Sequence, residues 1–133
     1  MNPPSQIAPE QPASDASDLA RSAARAADSK GATEIVILDV AQVMGICELF
    51  VILTAANTPM VKAVTDEIQE RISVDCGRSP RAIEGADARR WVLLDYGDIV
   101  VHIFLAEDRE YYRLERLYAD SAQQDWQLGT PTS

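Results

Sequence analysis

Little in this chain could bind a metal or relay a proton. It has one histidine, His102, and two cysteines, Cys47 and Cys76, which are not in CxxC spacing. There is no His/Cys metal cluster, no glycine loop to cradle phosphate and no nucleophile elbow. Two such cysteines, in a chain large enough to need no crosslink, read as buried thiols rather than as a disulfide. Cations are scarce as well: 12 Lys and Arg face 21 Asp and Glu, a net charge of −9. Nucleic-acid binding draws most of its affinity from cations that displace phosphate counterions, so this surface disfavours direct contact with RNA or DNA. It suits a basic protein partner.

No apolar run is long enough to cross a bilayer. The N-terminal MNPPSQIAPEQP has neither a basic region nor an apolar stretch after it, and is not Arg-rich, unlike export or transit leaders. The expected location is the cytoplasm, with no membrane partner. Residues 1–14 hold four prolines among polar residues and alanines and read as a disordered lead-in. Residues 15–122 form the expected domain, and 123–133 lack a period and read as a flexible tail.

What is present is one domain's worth of chain: 133 residues, 47% of them apolar. A helix capped by Ser14 or Ser17 carries Leu19 and a row of alanines and ends at Gly31. Thr33 to Val40 and Cys47 to Thr54 are apolar at every alternate position, which calls for strands buried on both faces. Asn57 or Thr58 then caps a helix with Pro59 at its first position and the stripe Val61, Val64, Ile68 and Ile72. A short strand at Arg81 to Gly85 leads to two more, Trp91 to Leu94 and Ile99 to Phe104, around the turn Asp95-Tyr96-Gly97-Asp98. A last helix is expected from about Asp108 to Gln123. This order predicts a single α/β domain, a small mixed sheet flanked by helices.

The chemistry concentrates in the hairpin. Asp95 and Asp98 could share a divalent cation, but two oxygen donors are few, and Asp also favours turns because it caps local N–H groups. His102 alternates with Val100 and Phe104 and has no nucleophile nearby in sequence, so a half-buried, hydrogen-bonded residue competes with a catalytic one. Trp91, Leu93, Tyr96, Tyr111 and Tyr112 among carboxylates could anchor a protein interface or cover the sheet edge as core. The alternating charges of the last helix, Asp108 to Arg116, read as a solvated, self-paired face. No cofactor is expected.

W-x-L-L-D-Y-G-D-I-V-V-H-I-F followed by R-E-Y-Y-x-L-E-x-L-Y-x-D resembles the signature half of the ribosomal silencing factor family, also called RsfS or Iojap. ELFVILTAANTPMVKAVTDEI and Ile83-Glu84-Gly85 match further family segments, and the likeness spans roughly residues 17–121. The resemblance implies a fold related to nucleotidyltransferases and no enzymatic activity. It implies binding of large-subunit ribosomal protein fourteen, which blocks subunit joining sterically and lowers translation when nutrients are scarce. The partner surface implied comprises Trp91, Leu93, Leu94, Asp95, Tyr96, Asp98 and His102, with Glu84 and Arg109 at its margin. On this reading Trp91→Ala abolishes binding and spares the fold. The chain departs from the family pattern at Cys47-Glu48-Leu49, Ala55-Ala56-Asn57 and Tyr118. It also lacks the Gly-Ser turn and D-x-D pair of nucleotidyltransferases, which weakens the alternative of a metal-dependent enzyme using Asp95 and Asp98. A third expectation is a homodimer formed through the aromatic face when the partner is absent.

Overall fold

A computed structural model describes residues 15–41, 45, 47–112, 123–124 and 126 of the chain. The first helix, α1 (Ala16–Ser29), is capped by Asp15 rather than by either expected serine. The reason is reciprocal bonding: Asp15 accepts from the Asp18 backbone N–H at 2.9 Å, and Asp18 accepts from the Asp15 N–H at 3.3 Å. This capping box satisfies two donors that a lone serine would satisfy singly. Leu19, Ala20, Ala23, Ala24 and Ala27 are buried along α1, and such small side chains let a neighbouring helix approach closely.

That neighbour is α2 (Thr58–Cys76), which packs beside α1 and is tied to it by the Ser22 hydroxyl donating to Asp75 at 3.0 Å. Asn57 is the N-cap and accepts from the Met60 N–H at 2.9 Å, which places Thr58 first in the helix and Pro59 second. Pro59 still falls in the first turn, where its missing N–H costs nothing. Val61, Val64, Ile68 and Ile72 are all fully buried, as their spacing requires.

Among the described residues the sheet has six strands: β1 (Thr33–Asp39), β2 (Leu49–Ala55), β3 (Ala82–Glu84), β4 (Trp91–Asp95), β5 (Ile99–Leu105) and β6 (Gln123–Gln124). Their spatial order is β3-β4-β5-β2-β1-β6, with β2 and β5 parallel and every other pair antiparallel. The sheet is therefore mixed, as the sequence predicts. A short helix, α3 (Ala106–Tyr112 as described), follows β5 directly, two residues earlier than the expected start.

Both faces of the sheet are apolar, and α1 and α2 cover one of them. Ile37, Val51, Leu53, Val92, Leu94, Val101 and Ile103 share one core with α1 and α2. The opposite face holds a second cluster of Leu38, Val40, Cys47, Phe50, Ile52 and Phe104, with Val36, Trp91 and Val100 half-buried against it. β2 is buried along its whole length, as its doubly apolar pattern demands. β1 departs from that expectation at its start, where Thr33 and Glu34 are exposed, Glu34 has φ 51° and the register with β2 slips between Thr33 and Val36. This bulge turns the entry of β1 away from the core.

The expected loose tail is corrected in part. Gln124 and Gln123 pair with Ile37 and Leu38 of β1, and Trp126 packs partly buried against the larger core. A two-residue strand and one anchoring ring carry no periodicity by which a sequence could announce them. The lead-in 1–14, most of the last helix beyond Tyr112 and the rest of the tail lie outside the described residues.

Candidate protein-interaction site

Four strands, β1, β2, β4 and β5, build the face opposite α1 and α2, and their register fixes which side chains meet. Trp91 lies directly across from Phe104, and Leu93 across from His102, in the antiparallel β4–β5 pair. Ile52 lies beside His102 in the parallel β2–β5 pair. The Trp91 indole stacks on Phe104, ring centres 4.9 Å apart at 29°, and donates its N–H to His102 Nδ1 on the diagonal at 3.1 Å. Phe50 meets the imidazole edge-on at 4.5 Å. Buried Phe50, Ile52, His102 and Phe104 thus form a floor, above which Trp91, Leu93, Val100 and Val36 remain half-buried.

Charged pairs frame this floor. Arg81 meets Asp95 at 3.3 Å, and Arg78 reaches both Asp98 at 3.1 Å and the Tyr96 carbonyl at 2.8 Å. These two arginines lash the segment before β3 to the β4–β5 turn. At the other end Arg90 bridges Glu107 and Asp108, at 3.3 and 2.9 Å. Asp95 also accepts from the Gly97 N–H at 2.8 Å, and Gly97 has φ +93°, the left-handed conformation such a turn needs. Asp95 is therefore a turn cap and Asp98 an ion-pair partner. Among the described residues no cluster of three or more His, Cys, Asp or Glu could hold a metal.

The electrostatics of the site follow from burial. His102 is 4% exposed, and desolvation lowers its pKa from 6.5 to about 4, so the ring is neutral near pH 7. Because Nδ1 accepts the indole N–H, the ring's own proton lies on Nε2, a buried atom without a hydrogen-bond partner among the described residues. Burial likewise pushes Tyr96 up to about 12, and its buried hydroxyl also has no partner among the described residues. The Cys47 thiol is raised first by burial and then by Asp95, Asp98 and Glu48, which leaves it protonated and unreactive. Both cysteines are free, Cys47 buried and Cys76 half-buried.

The sequence-predicted surface is thus split. Trp91, Leu93, Asp95 and Asp98 are half-buried and Glu84 is exposed, in positions from which they can touch a partner. Leu94 is corrected: it is fully buried and faces α1 and α2, because alternation along β4 puts it on the opposite side from Leu93. Tyr96, at 3% exposure, belongs to that same core, and His102 lies beneath Trp91. Arg109 is 4% exposed and donates to the Thr54 hydroxyl at 2.8 Å, which in turn meets Glu34 at 3.2 Å. It anchors α3 to β2. Sequence reasoning missed Val36, Phe50 and Val100 as parts of the face. Alternation along β5 signals Val100, but the β2–β5 and β1–β2 registers that bring in Phe50 and Val36 are not local information.

Fold and site together define a small single-domain α/β protein with a mixed sheet, α1 and α2 across one face and a charge-framed aromatic floor on the other. The chain belongs to the family described as ribosomal silencing factor during starvation, whose model matches residues 13–132. It is 36% identical over 107 residues to ribosomal silencing factor RsfS of Bacillus subtilis, covering 80% of this chain and 90% of that one. It is 35% identical over 106 residues to chloroplastic protein Iojap of Zea mays, covering 77% of this chain and 44% of the maize protein. It is also 32% identical over 91 residues to mouse mitochondrial assembly of ribosomal large subunit protein 1, covering 67% and 40% of the two chains. Its fold matches a crystal structure from Bacillus halodurans with a TM-score of 0.70 at 30% identity, covering 81% of this chain and 97% of that one. It matches one from Chromobacterium violaceum with a TM-score of 0.76 at 25% identity, covering 90% and 100%.

Proposed function

We propose that this protein represses translation by binding the large ribosomal subunit through ribosomal protein fourteen and obstructing its union with the small subunit. The observation that carries the reading is the half-buried Trp91–Leu93 pair, with Val100 beside it, over a rigid aromatic floor and within a frame of arginine–carboxylate ion pairs. An aromatic anchor in a polar rim has the anatomy of a protein-docking site. Membership of the silencing-factor family and the name of the mouse relative point to the large subunit. The net charge of −9 favours a basic ribosomal protein over ribosomal RNA as the direct contact.

The mechanism is steric. A stiff sheet holds the anchor in place, the partner covers it, and the body of the domain occupies space that the other subunit needs. Purified protein added to mixed subunits is expected to shift them from joined ribosomes to free subunits in gradient sedimentation, with the protein travelling beside the large subunit. Joining that proceeds unchanged at saturating protein refutes the proposal. The expected cytoplasmic location belongs to this reading. Among the described residues no helix is long and apolar enough to cross a membrane.

A further inference from the structure

We propose that His102 is a positioning residue for the docking surface: its Nδ1 accepts the Trp91 indole N–H and thereby sets the orientation in which Trp91 meets its partner. The inference rests on the reading of Trp91 as the anchor and adds a residue that works through it.

The geometry assigns His102 this single task. Its ring is buried beneath the face, out of reach of any partner, so it is not itself a contact. It packs against Phe50 at 4.5 Å and lies 6.0 Å from the Trp91 ring and 6.4 Å from Phe104, an apolar pocket that a leucine or phenylalanine would fill without burying polar atoms. Burying an imidazole there leaves Nε2–H unsatisfied, which costs free energy that an apolar ring would not. Among the described residues the polar bond set against that cost is the 3.1 Å bond from Trp91. Stacking on Phe104 fixes the plane of the indole but not which edge points inward. A buried acceptor on one side decides that, because the opposite orientation breaks the indole N–H bond and leaves Nδ1 empty.

The test uses the full chain. The indole N–H resonance of Trp91, identified by its loss in Trp91→Phe, should exchange with solvent about tenfold more slowly in the parent than in His102→Leu, the value of one hydrogen bond. His102→Leu should bind purified large subunits about tenfold more weakly while melting cooperatively. His102→Asn, whose Oδ1 can stand where Nδ1 stood, should recover both protection and binding. A Trp91 N–H that exchanges in the parent as fast as a free indole overturns the proposal whatever the variants do. So does parental affinity in His102→Leu when Trp91→Ala has lost binding, and that outcome leaves the anchor reading intact. Parental affinity in Trp91→Ala overturns the anchor reading and the positioning role with it. Should His102→Leu not fold, an Asn variant that folds with an unprotected N–H and parental affinity is the overturning result.

Discussion

At the scale of single residues, Trp91 serves two ends at once. Its ring is half exposed, yet it stacks on Phe104 and bonds to His102, so the expectation that Trp91→Ala spares the fold needs revision. Truncation is expected to weaken subunit binding by about 2 kcal/mol or more and to lower folding stability by a similar amount. Trp91→Phe keeps a ring on Phe104 but loses the N–H and the second ring of the indole, so chemical denaturation and cosedimentation of both variants, read beside His102→Leu, which keeps the whole indole, separate packing from recognition. His102 carries a pH signature. Its pKa is 6.5 when exposed and about 4 when buried, so between those values the unfolded chain binds more protons than the folded one. Stability from this site is therefore whole above about pH 6.5 and falls as pH drops toward 4, by about 3 kcal/mol over the window. Unfolding free energies of the parent minus those of His102→Asn, measured across pH 4 to 7, should show that slope, since asparagine does not titrate.

At the scale of elements, the β3–β4 connection sets the height of the face. Gly85 has φ +80°, and a Cβ built on it would collide with the Trp91 carbonyl oxygen, so side chain and backbone both require glycine there. Gly85→Ala is expected to cost about 3 kcal/mol and to displace the start of β4 together with Trp91. Gly77, the C-cap of α2, also has positive φ, 67°, but faces open space, so Gly77→Ala should cost only about 1 kcal/mol. Urea denaturation of the two variants checks the contrast, and equal losses would mean that the close approach at Gly85 is relieved by a shift of the loop. The same element explains how much of the local structure could be read in advance. The stripe of α2 and the Asn57 cap announce themselves within a few residues, because helical bonds are local. The capping box of α1 was legible too, in Asp15 and Asp18, but a serine on either side competes for the same role.

At the scale of the whole molecule, charge should govern the rate of encounter. With −9 overall, association with the proposed basic protein partner is expected to slow about tenfold between low and high ionic strength, with dissociation nearly unchanged. Stopped-flow measurements at graded salt test this, and a dissociation rate that carries the salt dependence would instead point to buried ion pairs at the interface. Mixed strand order also makes the face a product of the entire chain. β1, β2, β4 and β5 all contribute side chains to it, and the parallel β2–β5 pair joins halves separated by α2 and β3.

The order of elements from α1 to α3, the α/β class, the core stripe of α2, the hairpin turn and the acidic balance were determined by the sequence alone, since each depends on residue type and short spacing. The two motifs between Trp91 and Asp120 already carried the likeness to the silencing factors. Only the tertiary structure decided that Leu94, Tyr96 and Arg109 point inward, that Asp95 and Asp98 are engaged by Arg81 and Arg78, and that His102 lies under Trp91 as its acceptor. The physical reason is that facing and pairing depend on register between strands far apart in the chain. A sequence shows which residues alternate, but not which of them meet across the sheet.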